Sequence, residues 1–357
     1  MGEHSSSDVT KDGLQGVRPD RDALTGVATG KPGGQANGRR GGWRRRGRGD
    51  GAPTVPDAEF TSYYNLPVIN KPVWSSPDIP AYLFLGGLAG AASLLGAGAQ
   101  FTGRPALDRV SKAGAFSAGV LSLVGLVHDL GRPARFLHML RVFKVTSPMS
   151  VGSWILAGYV PLAGIAAVSS LSGKLPKIGT AATAGSALLG PAVASYTAAL
   201  LSDTAVPAWH DGYPEMPFVF IGSGATAAGG LGLLTAPLAQ TGPARAMALF
   251  GVGTELASFE RMERRIGMVA EPYSQGRGGN YVRAGKILAL AGAAGALLGK
   301  RNRLVSALSG AALLASSAAT RWGIFHAGIQ SADDPKYTVV PQRERADNRA
   351  ADRAPSG

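Results

Sequence analysis

Residues 78–104, DIPAYLFLGGLAGAASLLGAGAQFTGR, decide the fold, because no charged side chain falls between Asp78 and Arg104. A bilayer core of about 30 Å is crossed by about 20 apolar residues in helical form, so this run is long enough to span it. Three more runs are equally free of charge: between Lys144 and Lys174, between Lys177 and Asp203, and between Glu215 and Arg245. Four weaker ones follow the same pattern. Ala113 to His128 is short but extends through Lys112, whose stem can snorkel to the interface. Arg245 to Phe259 is interrupted by Glu255, Arg283 to Gly299 carries Lys286, and Arg303 to Ile329 carries Arg321.

These runs predict an all-α polytopic membrane protein of about eight transmembrane helices, near residues 80–101, 110–128, 152–172, 178–201, 217–238, 243–262, 283–299 and 303–328, in two packed four-helix bundles. Small residues crowd the runs, as in GGLAGAASLLGAGA from 86 and GSGATAAGGLG from 222, and let helix backbones approach closely. The chain divides into a disordered Gly/Arg-rich tail at 1–58, an interfacial approach at 59–79, the membrane domain at 80–330 and a polar C-terminal tail at 331–357.

Composition agrees: of 357 residues 45% are hydrophobic and 17% charged, with charge gathered at the ends and in a few loops. The absence of cysteine excludes disulfides and thiolate-held metal, so any iron–sulfur cluster belongs to a partner. A net charge of +13 suggests nucleic acid in a soluble protein. Here much of it flanks apolar runs, and the expected contacts are membrane lipids rather than nucleic acid. The arginine-rich stretch RRGGWRRRGR at 39–48 points to anionic lipid or a protein partner. The helix-associated histidines, His128 and His326, lie near one membrane face, so no two-layer haem ladder fits.

With eight spans, nearly all the long loops fall on one face. The densest is HDLGRPARFLHMLRVFKVTSPMSVGSW, 128–154. Gly131 and Pro133 end a helix there and leave His128 and Asp129 at the membrane boundary, either as a helix-end ion pair with neighbouring arginines or as proton exchangers for a redox ligand. Arg135, His138, Arg141 and Lys144, with Phe136, Leu137, Leu140 and Phe143 forming an apolar stripe, predict an amphipathic interfacial helix. Its basic face can meet lipid phosphate or dock an acidic subunit. Tyr196, Trp209 and His210 read as interface residues, whereas Glu255 lies inside a span and is a functional candidate. Its partners are Glu260 and Arg261 on the same helix, or Arg321, making a proton path or a structural pair.

The block DLGRPARFLHMLRVFKVTSPMSVGSW, preceded by YYNLPVINKPVW and IPAYLFLGGLAGAASLL and followed by SADDPKYTVVPQRER, resembles the NrfD/polysulfide reductase membrane-subunit family from roughly Tyr63 to Arg345. The resemblance implies an eight-helix subunit in a bacterial cell membrane that partners a four-cluster iron–sulfur subunit and a molybdopterin catalytic subunit. It implies exchange with menaquinone or ubiquinone, without haem or a cluster in this chain, and a formate dehydrogenase as one compatible complex. Carried onto these residues, it puts proton exchange at Asp129 and His128, and quinone contacts at Tyr196, Arg132 and Asn65 or Asn70. It leaves Arg135, His138, Arg141 and Lys144 for docking, and Glu255 with Arg321 as a possible proton path. Polysulfide-type members carry polar residues at the start of the first helix, where this chain has Pro80, Ala81 and Tyr82. A purely structural anchor and a small-solute transporter are the alternative functions.

Overall fold

Proline opens many of the helices, since its fixed φ suits the first turn and its missing N–H has no partner to lose there. The computed structural model describes residues 68–132 and 134–353, together with a two-residue antiparallel strand pair, Val9–Thr10 and Gly13–Leu14. That pair belongs to a separate N-terminal unit ending at Leu66. The rest of the tail at 1–58, and Asn65 in the approach segment, lie outside the described residues.

The long helices are α1 (Asp78–Phe101), α2 (Pro105–Asp129), α4 (Pro148–Ser172), α5 (Pro176–Ser202), α7 (Met216–Thr235), α8 (Gly242–Ile266), α10 (Gly276–Leu298) and α11 (Arg303–Asp333). Between them lie the short α3 (Ala134–Met139), α6 (Pro207–His210) and α9 (Glu271–Ser274), and α12 (Lys336–Arg353) ends the described chain. Ser147 caps α4 by accepting from the Ser150 N–H, and Asn302 caps α11 by accepting from the Leu304 and Val305 N–H groups. The internal Pro161 and Pro191 do not break α4 or α5.

The protein is an all-α polytopic membrane protein. Among the described residues, α1, α2, α4, α5, α7 and α10 are long and apolar enough to cross a membrane. The α8 and α11 helices, also expected as spans, are 25 and 31 residues long and carry more charge. Packing centres on α1 and α7. The α1 helix lies against α2, α5 and α7, with α4 closing onto α2 and α5; α7 lies against α8 and α11, and α10 packs along α11. At the α1–α5 contact, a Cβ added to Gly90 would lie 2.3 Å from the Gly190 carbonyl oxygen, and one on Gly190 would lie 2.5 Å from that of Gly90. The two backbones touch, which only glycine permits.

Two side chains sit differently from the sequence reading. Lys112 does not snorkel: it is buried, because Asp108 one turn earlier and Gln100 on α1 supply partners inside the bundle. Trp209 is no interface anchor but fully buried, stacked on Trp74 at 5.6 Å and donating its indole N–H to the Ile324 carbonyl at 2.8 Å. A core polar partner lets the whole ring leave the interface.

Candidate functional site

At the end of α2, Gly131 adopts φ 69° and turns the chain out of the helix, leaving His128 and Asp129 at the corner where α1 begins. Asp129 Oδ1 accepts from the Ser75 backbone N–H at 3.0 Å. The Ser75 hydroxyl is shared between Asp129 Oδ1 at 3.0 Å and Asp78 Oδ2 at 2.9 Å. His128 Nδ1 lies 2.9 Å from the same Asp78 oxygen. Two carboxylates, an imidazole and a hydroxyl therefore form one hydrogen-bonded cluster. The arginines expected nearby as ion-pair partners are elsewhere: Arg132 is exposed and Arg135 donates to the Leu130 carbonyl at 2.9 Å.

The interfacial helix expected through Phe143 stops at Met139. The chain from 140 to 147 turns instead, held by the Ser150 hydroxyl, which accepts from the Lys144 N–H at 3.0 Å and donates to the Val142 carbonyl at 3.0 Å. Side-chain bonding of this kind competes with the helical ladder. Arg135, His138, Arg141 and Lys144 are all exposed, as are Leu137, Val142, Phe143 and Val145, so the segment remains a basic and apolar surface without a continuous helix.

Beside it a groove of about 630 Å³ opens between α4, α5 and the segment leading into α7. Val145, Pro148, Val151, Ala199 and Pro217 form its apolar wall, and Tyr196, Ser202, Asp203, His210 and Tyr213 its polar one. Gly152 makes room for the Tyr196 ring, since a Cβ there would lie 2.3 Å from Tyr196 Cε2. The Tyr196 hydroxyl meets that of Tyr82 on α1. Ser202 Oγ is buried without a protein partner, and His210 Nδ1 lies 3.0 Å from the Ser202 carbonyl. In the neutral imidazole that contact makes Nδ1 the donor and leaves Nε2 as an acceptor.

The residues expected around a quinone thus fall into two neighbouring groups. Tyr196 lines the groove; His128 and Asp129 form the corner cluster, and neither they nor Arg132 and the exposed Asn70 line it. Tyr82 stands between them, one helical turn past Asp78 on α1 and paired with Tyr196. Sequence reading missed Tyr82, Ser75, Asp78 and Ser202. Tyr82 had a signal, being the polar ring at the start of the first helix. Ser202 had none.

Glu255 and Arg321 are both buried deep in the helices, near enough for each charge to act on the other but without an ion-pair contact. Arg321 is fully buried between α1, α7 and α11, lies 3.6 Å over the Phe220 ring and donates Nη2 to the Phe220 carbonyl at 2.7 Å. Its Nε and Nη1 have no hydrogen-bond partner. Glu255 accepts a long hydrogen bond from the Thr226 hydroxyl at 3.4 Å, and the Arg321 charge acts on it without an ion-pair contact. Glu260 and Arg261, the other expected partners, point away, Glu260 pairing with Arg264 and Arg261 with Glu215.

Glu215, just before α7, takes a forked hydrogen bond from Arg265, Nη2 to Oε2 at 2.7 Å and Nε to Oε1 at 2.9 Å. This guanidinium holds the Glu215 carboxyl below the usual carboxylate range. A depressed folded-state value stabilises the fold above the unfolded-state value and loses that contribution as pH falls through the folded one. Thermal unfolding in detergent from about pH 6 to about pH 3 should therefore narrow the stability gap between wild type and Glu215→Gln. A constant gap would contradict the pairing.

A family model described as polysulphide reductase, NrfD, matches residues 67–247, just over half of the chain. The match takes in the corner cluster, the 129–154 block and the whole groove. No curated protein matches the chain.

Proposed function

The chain belongs to the polysulphide reductase NrfD family, and on that premise we propose that it exchanges electrons and protons between an iron–sulfur partner and the membrane quinone pool. Members of the family are generally membrane subunits of molybdoenzyme complexes, with iron–sulfur and molybdopterin partners. The observation that carries the reading is the groove at Tyr196. Ligand sites of this size combine apolar walls with a few convergent polar groups, and among the residues lining this one Ser202 carries a buried hydroxyl that lacks a protein partner.

Menaquinone or ubiquinone bound there supplies a two-electron, two-proton couple. Tyr196 accepts from Tyr82 and turns its own O–H toward a carbonyl of the ring, which a hydroxyl can do while accepting. Ser202 Oγ donates to the same end of the ligand. His210 Nε2 takes or returns a proton at the open side, and Asp203 keeps that side polar. Asp129, His128 and Asp78 hold protons at the corner, one helical turn along α1 from the Tyr82 that meets Tyr196. Arg135, His138, Arg141 and Lys144, exposed on the segment that runs into Val145 of the groove wall, form the docking surface for the iron–sulfur subunit, whose clusters deliver electrons singly. A formate dehydrogenase is one complex in which this arrangement works, and the bacterial cell membrane is its setting.

The test is quinone binding and turnover by the complex purified through a tag on this chain. Tyr196→Phe and Ser202→Ala should each lower quinone turnover on the order of ten- to a hundredfold with the subunits still co-purifying. Unchanged turnover and unchanged affinity for a short-chain quinone in both variants would remove the groove as the site. Intact assembly with no quinone binding in the wild type would instead make the chain a structural anchor.

A further inference from the structure

The charge pattern of α8 has no part in the quinone site. From Ala246 to Phe259 this helix carries a single ionisable group, the buried Glu255, and then five fall within six residues: Glu260, Arg261, Glu263, Arg264 and Arg265. Arg265 binds Glu215 just before α7, so this end of α8 lies at the same membrane face as the quinone groove, whose wall includes Pro217. The outward residues of α8 form one stripe, Ala246, Phe250, Gly253, Ala257, Glu260 and Arg264, at alternating spacings of four and three. The stripe is apolar for about 16 Å of helix and then charged, which puts the boundary of the bilayer core near Ala257.

A hollow of about 500 Å³ opens at that boundary, lined by Ala257, Glu260, Arg261, Arg264 and Arg265. Three guanidiniums face one carboxylate in it. Arg265 is committed elsewhere, forked onto Glu215 and donating to the Asp211 carbonyl. Arg261 stands 3.6 Å from Glu215, outside hydrogen-bond reach of it, and its side chain is 82% exposed. Arg264 pairs with Glu260, one turn back, at 2.9 Å, with side chains 78% and 52% exposed. An ion pair this open to solvent contributes little and gives way to a better acceptor. Glu263, the remaining acid of this stretch, is taken by Lys286 of α10 at 2.7 Å. The hollow therefore carries excess positive charge and unspent N–H groups, arranged in the planar fork that matches a phosphate.

The surroundings select the kind of phosphate. At Gly253 an added Cβ would meet nothing within 4 Å, so the stripe is open beside the exposed Phe250 and runs from the hollow toward the middle of the bilayer. A soluble acidic protein could meet the arginines but not this stripe. A molecule with a phosphate at one end and an acyl chain at the other meets both.

We infer that the hollow at the end of α8 binds the phosphate of an anionic phospholipid between Arg261 and Arg264, with one acyl chain along Ala257, Gly253 and Phe250. Arg265 fixes the wall of the hollow through Glu215. Glu260 is a competitor for Arg264, and the arriving phosphodiester takes its place. A zwitterionic head group brings its own cation to the arginines and is held less well. The site stands apart from the quinone groove and needs no quinone reading.

Native mass spectrometry of the full chain, equilibrated in mixed micelles of phosphatidylglycerol and phosphatidylcholine in equal amounts, tests it. Wild type should retain phosphatidylglycerol in preference. Arg261→Gln with Arg264→Gln should lower that retention on the order of tenfold, since each basic side chain at a membrane surface contributes a several-fold attraction. Both side chains are exposed, so the fold is kept. Glu260→Gln frees Arg264 and should raise retention several-fold. Lys300→Gln with Arg301→Gln, exposed beyond the other end of α10, should leave it unchanged. Equal losses in the two double variants, or full retention in Arg261→Gln with Arg264→Gln, overturn the proposal. Displacement of the lipid by inorganic phosphate at equal concentration would make the ligand a free anion and overturn it too. Loss of a subunit from the purified complex in that variant, with lipid retention intact, would overturn it in favour of a protein partner.

Discussion

Arg321→Ala is expected to cost about 3–5 kcal/mol of stability, the usual penalty for leaving a buried charge without its partner. The guanidinium is enclosed by α1, α7 and α11, and its removal takes the nearest countercharge away from the buried Glu255. It also removes the hydrogen bond to the Phe220 carbonyl and the stacking on that ring. In detergent, the midpoint of thermal unfolding should fall on the order of ten degrees. The paired change Arg321→Met with Glu255→Gln should recover most of it, because the pair disappears together and no lone charge remains. Equal losses in the single and double variants would show that the two side chains act independently.

The same pair bears on the expected proton path. Glu255→Gln keeps the volume and the hydroxyl contacts but leaves Arg321 uncompensated. If the pair's role is to join α8 to α11, this variant is unstable. If it carries protons, the variant folds and loses transmembrane proton flux while quinone turnover persists.

The long helices were legible because an uncharged run of span length has few alternatives in water. The ends of 78–104, 144–174 and 177–203 lie close to the observed α1, α4 and α5. The family was legible from the 129–154 block, since a rigid string of Arg, Pro, Phe and Ser between spans is rare in apolar protein. What escaped was pairing across distance. Lys112 fell inside the expected helix at 110–128 but Asp108 fell before its start, and their pairing inside the bundle depends on Gln100 and on Ser170, 62 residues away from Asp108. Tyr82 and Tyr196 are separated by 114 positions, and nothing local marks them as partners. The interfacial helix failed for a related reason: its amphipathic spacing was real, but Ser150, from the next helix, captured the backbone that would have continued it.

Gly190→Val should abolish folded protein more completely than any change to the groove. A Cβ at Gly190 would stand 2.5 Å from the Gly90 carbonyl oxygen and 3.3 Å from its carbon. The obstacle is backbone on a central helix, so no side-chain rotation relieves it, and α1 and α5 must separate. Overpacking of side chains commonly costs 1–3 kcal/mol, and a clash against backbone lies at or beyond the upper end. Separation also draws Tyr82 from Tyr196 and disturbs the Gln100–Thr180 bond, so both the groove and the far charge cluster lose a wall. The measurement is the yield of monodisperse protein after detergent extraction and size-exclusion chromatography, which should fall to near background for Gly190→Val. Gly98→Ala is the control, because nothing lies within 4 Å of its added Cβ, and it should extract like wild type. If both variants extracted alike, the α1–α5 contact would not be the tight joint on which the quinone groove depends.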